Sequence, residues 1–383
     1  MEAMSTSALT ATIDLDAVAH NVGVLRDTSG TDVLAVVKAD AYGHGAVPLA
    51  RTLLATGAAE LGVAVIPEAL ALRAAGIDAH ITSWLHTNDA DFASAIAADI
   101  DLALSSRRQL AAVVAAARQV GATATVTVKV DTGMGRSGVA PDEWADFADD
   151  VAKAVADGAV VVRGLMCHLA CGDEPENPLN SQQAARLDEA RADLARLGTP
   201  PEVVHLANSA AALTRPDLAR DLIRPGIALY GGTPLPGRDF GLIPAMRLHA
   251  EVALVKNLPA GQGVSYGHTW VAQRDTRIAI IPAGYADGVP RLASGRLRVR
   301  VNDRDYPQIG RVCMDQFAID LGPSGDVGEG DRAELFGTGA HGAPTAQEWA
   351  ETIGTIDYEI LSHVGGRARR EYRTTTPRLE GLC

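Results

Sequence analysis

Eight short apolar runs alternate with stretches of helical spacing between Val33 and Gly231, and this rhythm restricts the fold more than any other feature of the chain. The stretches between the runs, such as residues 67–76 (PEALALRAAG), carry apolar residues at helical intervals. Apolar runs separated by helices indicate parallel strands that are buried on both faces. Eight such units predict a (β/α)8 barrel of the TIM type rather than an open sheet. The runs are residues 33–39, 60–66, 80–85, 100–105, 123–131, 160–170, 202–208 and 222–231.

The pattern changes near residue 241, where helical spacing gives way to short strand-like segments broken by Gly, Pro and Asp. This change predicts a second, mostly antiparallel β domain. We therefore expect two domains, a barrel over residues 1–240 and a β domain over residues 241–383. Near the end, Thr345 followed by Glu348 matches a capping box and predicts one late helix that begins there.

Charge and composition exclude several classes of function. The formal net charge is −13, whereas a nucleic-acid-binding protein needs a basic patch to meet phosphates. No apolar run reaches the roughly 18 residues that a membrane span requires, and the N-terminus lacks an export signal. The cysteines form no CxxC pair, so we predict neither a metal site nor a disulfide framework and expect a cytoplasmic protein. The cysteines are Cys167, Cys171, Cys313 and Cys383.

Polar side chains follow five of the eight predicted strands, at the end where a barrel carries its active site. Each of them alone is more commonly a solvated strand end or a satisfied rim residue, but five on the same face predict a site. The loops after the seventh and eighth strands, with Ser209 and Gly226, suit a phosphate group. An amine at Lys38 suits an aldehyde cofactor that bears this phosphate, because a desolvated lysine forms Schiff bases. The polar residues are Lys38, Lys129, Asp131, His168, His205, Asn208, Ser209 and Arg224.

Nine motifs in a fixed order resemble those of the alanine racemases and extend over nearly the whole chain. The first, AVVKADAYGHG at residues 35–45, is similar to the segment by which that family attaches pyridoxal 5′-phosphate. The resemblance implies the barrel and β domain of the family, and a homodimer in which each active site takes residues from the partner's C-terminal domain. The other motifs are VKVDTGMGRSG at 128–138, GLMCHLA at 164–170, HLANSAA at 205–211, RPGIALYG at 224–231, GVSYGHTW at 263–270, GYADG at 284–288, GRVCMDQ at 310–316 and GTIDYE at 354–359.

The resemblance also implies catalytic roles. Lys38 would hold the cofactor as a Schiff base and act as a base on one face of the substrate Cα, while Tyr266 of the other subunit would act on the opposite face. His168 would hydrogen-bond Tyr266, because a phenol alone is a weak base. Arg224 would face the pyridine nitrogen, with His205 behind it. A permanent positive charge at Arg224 opposes protonation of that nitrogen and so disfavours transamination.

Further residues match binding positions of the resembled family. Arg136 and the backbone of Met314 would hold the substrate carboxylate, and Lys129 is the position of a carbamylated lysine whose negative charge would orient Arg136. The tail at residues 364–372, VGGRARREY, departs from the commoner Pro-containing version, and we expect this to affect only peripheral packing. The cofactor-binding positions are Lys38, Tyr42, His205, Asn208, Ser209, Arg224, Gly226, Ile227 and Tyr358. Residues that resemble an entry passage, and are equally well explained as solvated loop residues, are Asp173, Tyr285, Arg291, Arg311 and Asp315.

Two other motifs match different enzyme classes but lack the required context. Residues 263–267 (GVSYG) match the G-x-S-x-G nucleophile elbow of hydrolases, yet no helical pattern follows them. Residues 337–342 (GTGAHG) match G-x-G-x-x-G, with Asp357 downstream, yet too little chain remains for a dinucleotide-binding unit. We interpret the second motif as a turn before the late helix.

Three alternatives lie close to the resembled family. An amino-acid decarboxylase of the same fold would place an acidic residue at the pyridine nitrogen, and Arg224 argues against it. A non-enzymatic pyridoxal-phosphate carrier resembles the barrel alone, and the β domain with Tyr266 argues against it. A racemase of serine or another small amino acid stays open, although Tyr358, Tyr266 and Met314 favour a methyl-sized pocket. The prediction is therefore an alanine racemase that supplies D-alanine for peptidoglycan, acts on a small molecule and contacts neither nucleic acid nor membrane.

Overall fold

The computed structural model describes residues 8–382. Residues 1–7, on which the argument about an export signal partly rests, and Cys383 lie outside this range. The strands are β1 (Leu9–Asp14), β2 (Asp32–Val36), β3 (Ala58–Val63), β4 (Ile81–Ser83), β5 (Asp101–Leu104), β6 (Ala124–Lys129), β7 (Val160–Met166), β8 (Val203–His205), β9 (Leu222–Ile223), β10 (Met246–Glu251), β11 (Leu254–Leu258), β12 (Gly263–Val264), β13 (Trp270–Val271), β14 (Thr276–Ile281), β15 (Arg298–Val301), β16 (Arg304–Ile309), β17 (Phe317–Gly322), β18 (Arg332–Phe336) and β19 (Arg369–Arg373). Apart from short 3-10 turns, the helical segments are α1 (Leu15–Ser29), the short turn α2 (Lys38–Tyr42), α3 (Ala46–Thr56), α4 (Ile66–Ala74), α5 (Phe92–Ala97), α6 (Arg107–Val120), α7 (Trp144–Ala156), α8 (Pro178–Arg196), α9 (Ser209–Thr214), α10 (Ala346–Ile353) and α11 (Asp357–Ser362).

Strands β2 to β9 form the predicted (β/α)8 barrel. They pair in parallel in the order β8-β7-β6-β5-β4-β3-β2-β9. The sheet closes between its two edges, where the Asp221 N–H donates to the Val204 carbonyl at 3.1 Å and the Arg224 N–H donates to the Ala207 carbonyl at 2.8 Å. All eight strands therefore send their C-terminal ends to one opening, which is where barrel enzymes carry their active sites.

Helix α6 illustrates how the sequence builds the outer layer. Ser106 accepts a hydrogen bond from the Gln109 N–H at its start, and Gly121 ends it in the left-handed conformation. Its buried stripe is Leu110, Val113 and Ala117, three and four residues apart. Burying the leucine and the valine contributes about 1.5–3 kcal/mol each relative to exposure. None of the helices between residues 8 and 382 has the length and apolar composition that crossing a bilayer requires.

The second sheet confirms the predicted, mostly antiparallel β domain. Its nine strands follow the order β11-β14-β17-β16-β15-β18-β10-β1-β19. The first strand of the described chain, β1, lies in this sheet, antiparallel to β10 and parallel to β19. The chain thus passes from the second sheet into the barrel after β1 and returns to the second sheet near residue 240. The domain boundary at residue 240 stays a prediction.

The two discounted motifs and the late helix have simple structures. Residues 263–267 leave β12 through a single 3-10 turn at Tyr266–His268 that leads into β13, so no α-helix follows the G-x-S-x-G serine. Residues 337–342 form a turn in which Gly339 and Gly342 have positive φ. The capping box is confirmed at α10, because the Glu348 N–H donates to Thr345 Oγ1 at 3.1 Å and the Thr345 N–H donates to the Glu348 carboxylate at 2.9 Å. Helix α11, which the sequence pattern did not indicate, follows directly.

Candidate active site

A cavity of about 640 Å³ opens at the C-terminal ends of the barrel strands. The structure brings most of the residues singled out from the sequence to this one cavity, although they come from five different barrel units and from α11. Convergence of charged and aromatic groups on one apolar cavity is typical of a ligand site. The lining residues that the sequence singled out are Lys38, Tyr42, Lys129, Arg136, His168, Asn208, Ser209, Arg224, Gly226, Ile227 and Tyr358.

The turn that begins at Lys38 has an unusual backbone. Ala39, Asp40, Ala41 and Tyr42 all have φ between 52° and 54°, a single turn of left-handed helix built without glycine. Each such residue costs roughly 1–2 kcal/mol relative to the right-handed form. The turn directs Lys38 and Tyr42 into the cavity, and strain of this kind persists only where the surroundings hold it.

The amine of Lys38 lies in a partly desolvated and positively charged environment. Burial lowers the pKa of Lys38, and the nearby cations Arg136 and Arg224 lower it further, while Glu68 opposes them. Glu68 also fixes the backbone beneath the amine, since its carboxylate accepts the Ala39 N–H at 2.7 Å. A lysine with a lowered pKa presents more neutral amine at neutral pH and is therefore a better nucleophile and base.

Arg224 organises the floor of the cavity. Its guanidinium is 4% exposed and lies 2.6 Å from Nδ1 of His205, 3.2 Å from Nδ1 of His168 and 2.7 Å from the Cys167 carbonyl. Because a guanidinium only donates, both imidazoles accept through Nδ1 and carry their proton on Nε2. Burial followed by the charge of Arg224 lowers the pKa of His168 to about 2 and that of His205 well below its usual value. Both histidines are therefore neutral beside a permanent cation.

The opposite end of the cavity forms a small polar cradle. Ser209 Oγ accepts the Gly226 N–H at 2.9 Å and the Ala228 N–H at 3.3 Å, which draws the loops after β8 and β9 together. Gly226 has no room for a Cβ, which would collide with the hydroxyl of Tyr42. Burial raises the pKa of Tyr42 and of Tyr358, so both hydroxyls stay protonated and can donate to an anion. The cradle has the donors and the space that a phosphate group needs.

Lys129 is the last residue of β6, and Arg136 lies on the loop that follows it. Nζ of Lys129 donates to Ser137 Oγ at 2.6 Å. Burial lowers the pKa of Lys129 to about 8, assisted by Arg224, Arg136 and Lys38. The Asp131 carboxylate accepts three backbone N–H groups of the same loop, at 2.9 to 3.1 Å, and so fixes the segment that carries Arg136.

Three of the predicted catalytic and binding residues do not line this cavity, namely His205, which lies behind Arg224, and Tyr266 and Met314. Tyr266 and Met314 lie on the β domain and are 72% and 51% exposed in the single chain. Tyr266 follows Ser265, whose φ of 63° is held by a hydrogen bond from its hydroxyl to the Arg311 carbonyl at 2.8 Å. At the barrel mouth, Ile356 is likewise exposed, at 57%.

The residues that resemble an entry passage also lie outside the cavity lining. Asp315 pairs with Arg367 at 2.7 Å, and Tyr285 is exposed on the β domain. Asp173 is exposed on the loop after β7, near enough to Tyr358 to raise the pKa of that phenol slightly, after burial, Tyr42 and Asp357. Their role in an entry passage stays a prediction.

Sequence reasoning missed several lining residues. Trp84 and Leu85 end the β4 unit and line the cavity beside Ser137, and Glu359 lies on α11. The strand-end rule that selected Lys38 would also have selected Trp84, had apolar residues been considered. Glu68, which binds the backbone of the Lys38 turn, was also missed. Its sequence signal is weaker, because it stands at the third position of α4, where an acid commonly caps a helix.

Two family models match the chain. The model described as "Alanine racemase, N-terminal domain" matches residues 13–234, and the model "Alanine racemase, C-terminal domain" matches residues 245–372. Together the two models span the barrel and the second sheet, including the barrel cavity and the exposed segment that carries Tyr266.

Individual proteins match over nearly their whole length. An alanine racemase of Mycolicibacterium smegmatis is 58% identical over 363 residues, which cover 94% of this chain and 93% of the relative. An alanine racemase of Mycolicibacterium vanbaalenii is 56% identical over 366 residues, with 95% and 94% covered. Among solved structures, the alanine racemase from D-cycloserine-producing Streptomyces lavendulae superposes with a TM-score of 0.93 at 46% identity, covering 97% of this chain and 98% of that chain.

Proposed function

Because the chain belongs to the alanine racemase family, we propose that it interconverts L-alanine and D-alanine with pyridoxal 5′-phosphate held by Lys38. The observation that carries the proposal is the cavity at the barrel mouth, in which the Lys38 amine, the buried Arg224 guanidinium and the cradle at Ser209 and Gly226 face one space. The chain is accordingly an isomerase, and the fold and the family agree on this class of reaction.

The residues of the cavity fit this cofactor from one end to the other. The cradle, with the hydroxyls of Tyr42 and Tyr358 beside Ser209 and Gly226, suits the phosphate. The Lys38 amine, with its lowered pKa, suits the aldehyde, and Arg224 suits the pyridine nitrogen. When bound, the cofactor withdraws electrons from the substrate Cα and makes its proton acidic. Residues of the protein perform the proton transfers and bind the substrate.

Racemisation requires one group to remove the Cα proton on one side and another to deliver a proton on the other. Lys38 supplies the first group. Tyr266 supplies the second from the partner subunit, which accounts for its exposure in the single chain. We therefore propose a homodimer with shared active sites. His168 donates from Nε2 to the Tyr266 oxygen, because its Nδ1 already accepts from Arg224, and this hydrogen bond stabilises the deprotonated phenol.

The substrate carboxylate binds at Arg136, together with the backbone of Met314 from the partner subunit. Lys129, next to Arg136, takes up carbon dioxide: its neutral amine forms an N–C bond and releases one proton, leaving a carbamate. A pKa of about 8 leaves enough neutral amine for this step near neutral pH. The product is an anion beside Ser137 that attracts and orients Arg136, whereas unmodified Lys129 repels it.

Arg224 distinguishes the proposed racemase from a decarboxylase of the same fold. A buried cation at the pyridine nitrogen opposes protonation there, whereas a decarboxylase would place an acid in that position. Tyr358, with Tyr266 and Met314 from the partner subunit, narrows the space around the Cα substituent to about a methyl group. Alanine is thus preferred to serine, and D-alanine for peptidoglycan is the product expected of a racemase in this family.

The deciding experiment follows L-alanine by proton NMR in deuterated water, with purified protein and added pyridoxal 5′-phosphate, beside a chiral assay. Loss of the Cα proton together with the appearance of D-alanine is the expected result. The Lys38→Ala variant serves as the control for exchange by free cofactor. If the cofactor binds and alanine neither exchanges nor inverts, alanine is not the substrate, and serine, lysine and ornithine are the compounds to try next.

A further inference from the structure

The last strand of the chain reaches back to the left-handed turn that carries Lys38. On β19, Nε of Arg370 donates to the Gly43 carbonyl at 2.8 Å, and its Nη2 lies 2.9 Å from the Asp40 carboxylate. Two residues on, the hydroxyl of Tyr372 donates to the His44 carbonyl at 3.1 Å. We name Arg370 and Tyr372 the β19 clamp. These contacts lie directly at the Lys38 turn and not at the periphery of the molecule.

The turn needs such support because its own backbone opposes its conformation. Four consecutive non-glycine residues at positive φ would relax toward the right-handed form if nothing held them. Asp40 is tied on both sides: its carboxylate accepts the Ala46 N–H at 2.7 Å and pairs with Arg370. Gly45 leaves no room for a Cβ, which would meet the Tyr372 hydroxyl. The glycine after His44 is therefore explained by the close approach of the clamp.

The clamp touches neither the cavity nor any group proposed to react. It acts on the backbone that sets where Lys38 and Tyr42 point, one at the aldehyde position and one at the phosphate cradle. We propose that Arg370 and Tyr372 are positioning residues for the reaction, which hold the strained turn so that the Lys38 amine stays in its desolvated, positively charged environment. The inference rests on the proposed function for its meaning, but the state of the amine can be measured without turnover.

The test uses the full-length chain freed of cofactor and mixed with pyridoxal, which has the aldehyde but no phosphate. The rate of adduct formation at Lys38, fixed with borohydride and located by peptide mass, is measured against pH. Burial and cations lower the pKa of Lys38 in the parent chain. In Arg370→Met the turn relaxes and the amine reaches water, so the midpoint of the pH–rate profile moves up toward that of a free lysine, and the rate at neutral pH falls about tenfold.

Two further variants should reduce the rate of adduct formation by smaller amounts. Tyr372→Phe removes one neutral hydrogen bond and lowers the rate by roughly threefold, with a smaller upward shift. Arg370→Lys keeps a cation beside Asp40 but loses the fork that also reaches Gly43, so it lies between the parent and Arg370→Met. Arg369→Met is the matched control, because Arg369 is the neighbouring arginine on β19 and pairs with Glu371 on the surface.

A loss of folded protein alone lowers the amplitude of labelling and leaves the midpoint where it was. Profiles of Arg370→Met and Tyr372→Phe that superpose on the parent would overturn the inference. If Arg370→Met does not fold, Asp40→Asn breaks the same ion pair and keeps an acceptor for Ala46. A parent chain that fails to racemise alanine counts against the proposed function, whereas an unmoved midpoint counts against the clamp, so the two failures are distinguishable.

Discussion

The guanidinium of Arg224 lies 2.6 Å from Nδ1 of His205, and both side chains are almost completely buried. Arg224 therefore keeps its charge where the pyridine nitrogen is expected, and His205 accepts from it through Nδ1. Replacement by Arg224→Glu reverses the charge and favours a protonated ring, so we expect transamination of alanine to pyruvate to rise about tenfold or more per turnover. Pyruvate measured against D-alanine gives the ratio. The surface variant Arg238→Glu is the control, and an unchanged ratio would argue against the electrostatic role of Arg224.

Lys38→Ala should remove the covalent attachment of the cofactor while leaving the phosphate cradle intact. We expect no borohydride-fixed adduct by mass spectrometry and no exchange of the Cα proton, because no other lysine is expected to take over the attachment. Lys153→Ala, at an exposed lysine of α7, should label like the parent chain. An adduct retained on Lys38→Ala would show that another amine holds the cofactor.

Hybrid dimers test whether Lys38 and Tyr266 act across subunits. Lys38→Ala and Tyr266→Phe chains should each be nearly inactive alone. Unfolded together in equal amounts and refolded, half of the dimers are hybrids, and each hybrid has one site with both native residues, so about a quarter of the parent activity should return. Recovery is measured as D-alanine formed per chain. Were each site built within one chain, mixing would restore nothing.

The pKa of about 8 for Lys129 predicts how carbamylation depends on pH. The neutral amine is the form that reacts with carbon dioxide, so its fraction increases as the pH rises through this value. We expect a carbon-13 carbamate signal after adding labelled bicarbonate, absent in Lys129→Gln, and stronger at pH values above about 8 than near pH 6.5 at equal dissolved carbon dioxide. A signal that persists in Lys129→Gln would assign the modification elsewhere.

His44 should make the fold sensitive to mild acid. It is fully buried, its ring stacks on Tyr230 at 4.6 Å, and burial lowers its pKa to about 4. The unfolded chain, with a histidine pKa near 6.5, binds a proton between about pH 6.5 and 4 while the folded chain does not, so stability is complete above this window and falls within it. The loss from this residue is on the order of 3 kcal/mol.

The measurement for His44 compares melting temperatures at neutral pH and at about pH 4.5. The His44→Gln chain should lose fewer degrees over this range than the parent, even if it melts lower at neutral pH. The exposed residue His341 provides the control variant His341→Gln, which should lose as many degrees as the parent. Equal losses in all three chains would exclude His44 as a source of acid sensitivity.

Much of the fold was accessible from the sequence because its signals are local. Parallel strands buried on both faces are mostly apolar, so the run at residues 123–131, which contains β6, can be recognised without knowledge of its neighbours. The capping box at Thr345 and Glu348 is likewise set within four residues. The strand-end rule then brought Lys38, His168 and Arg224 to one opening, although their roles stay predictions. Helix α11 was not predicted because it has only six residues, and which of them are buried depends on the elements packed around it.

Three features are recognisable in the sequence alone, since each depends on residues close together in the chain: the barrel rhythm, the change to a β domain and the polar groups at the strand ends. Three others arise only in the folded protein: β1 joins the second sheet, burial together with Arg224 keeps two histidines neutral, and Arg370 pairs with Asp40 across more than three hundred residues. These features depend on groups distant in the chain that meet in a poorly solvated interior, where burial and neighbouring charge set the protonation state and strain is held by contact. No local sequence pattern predicts contacts of this kind.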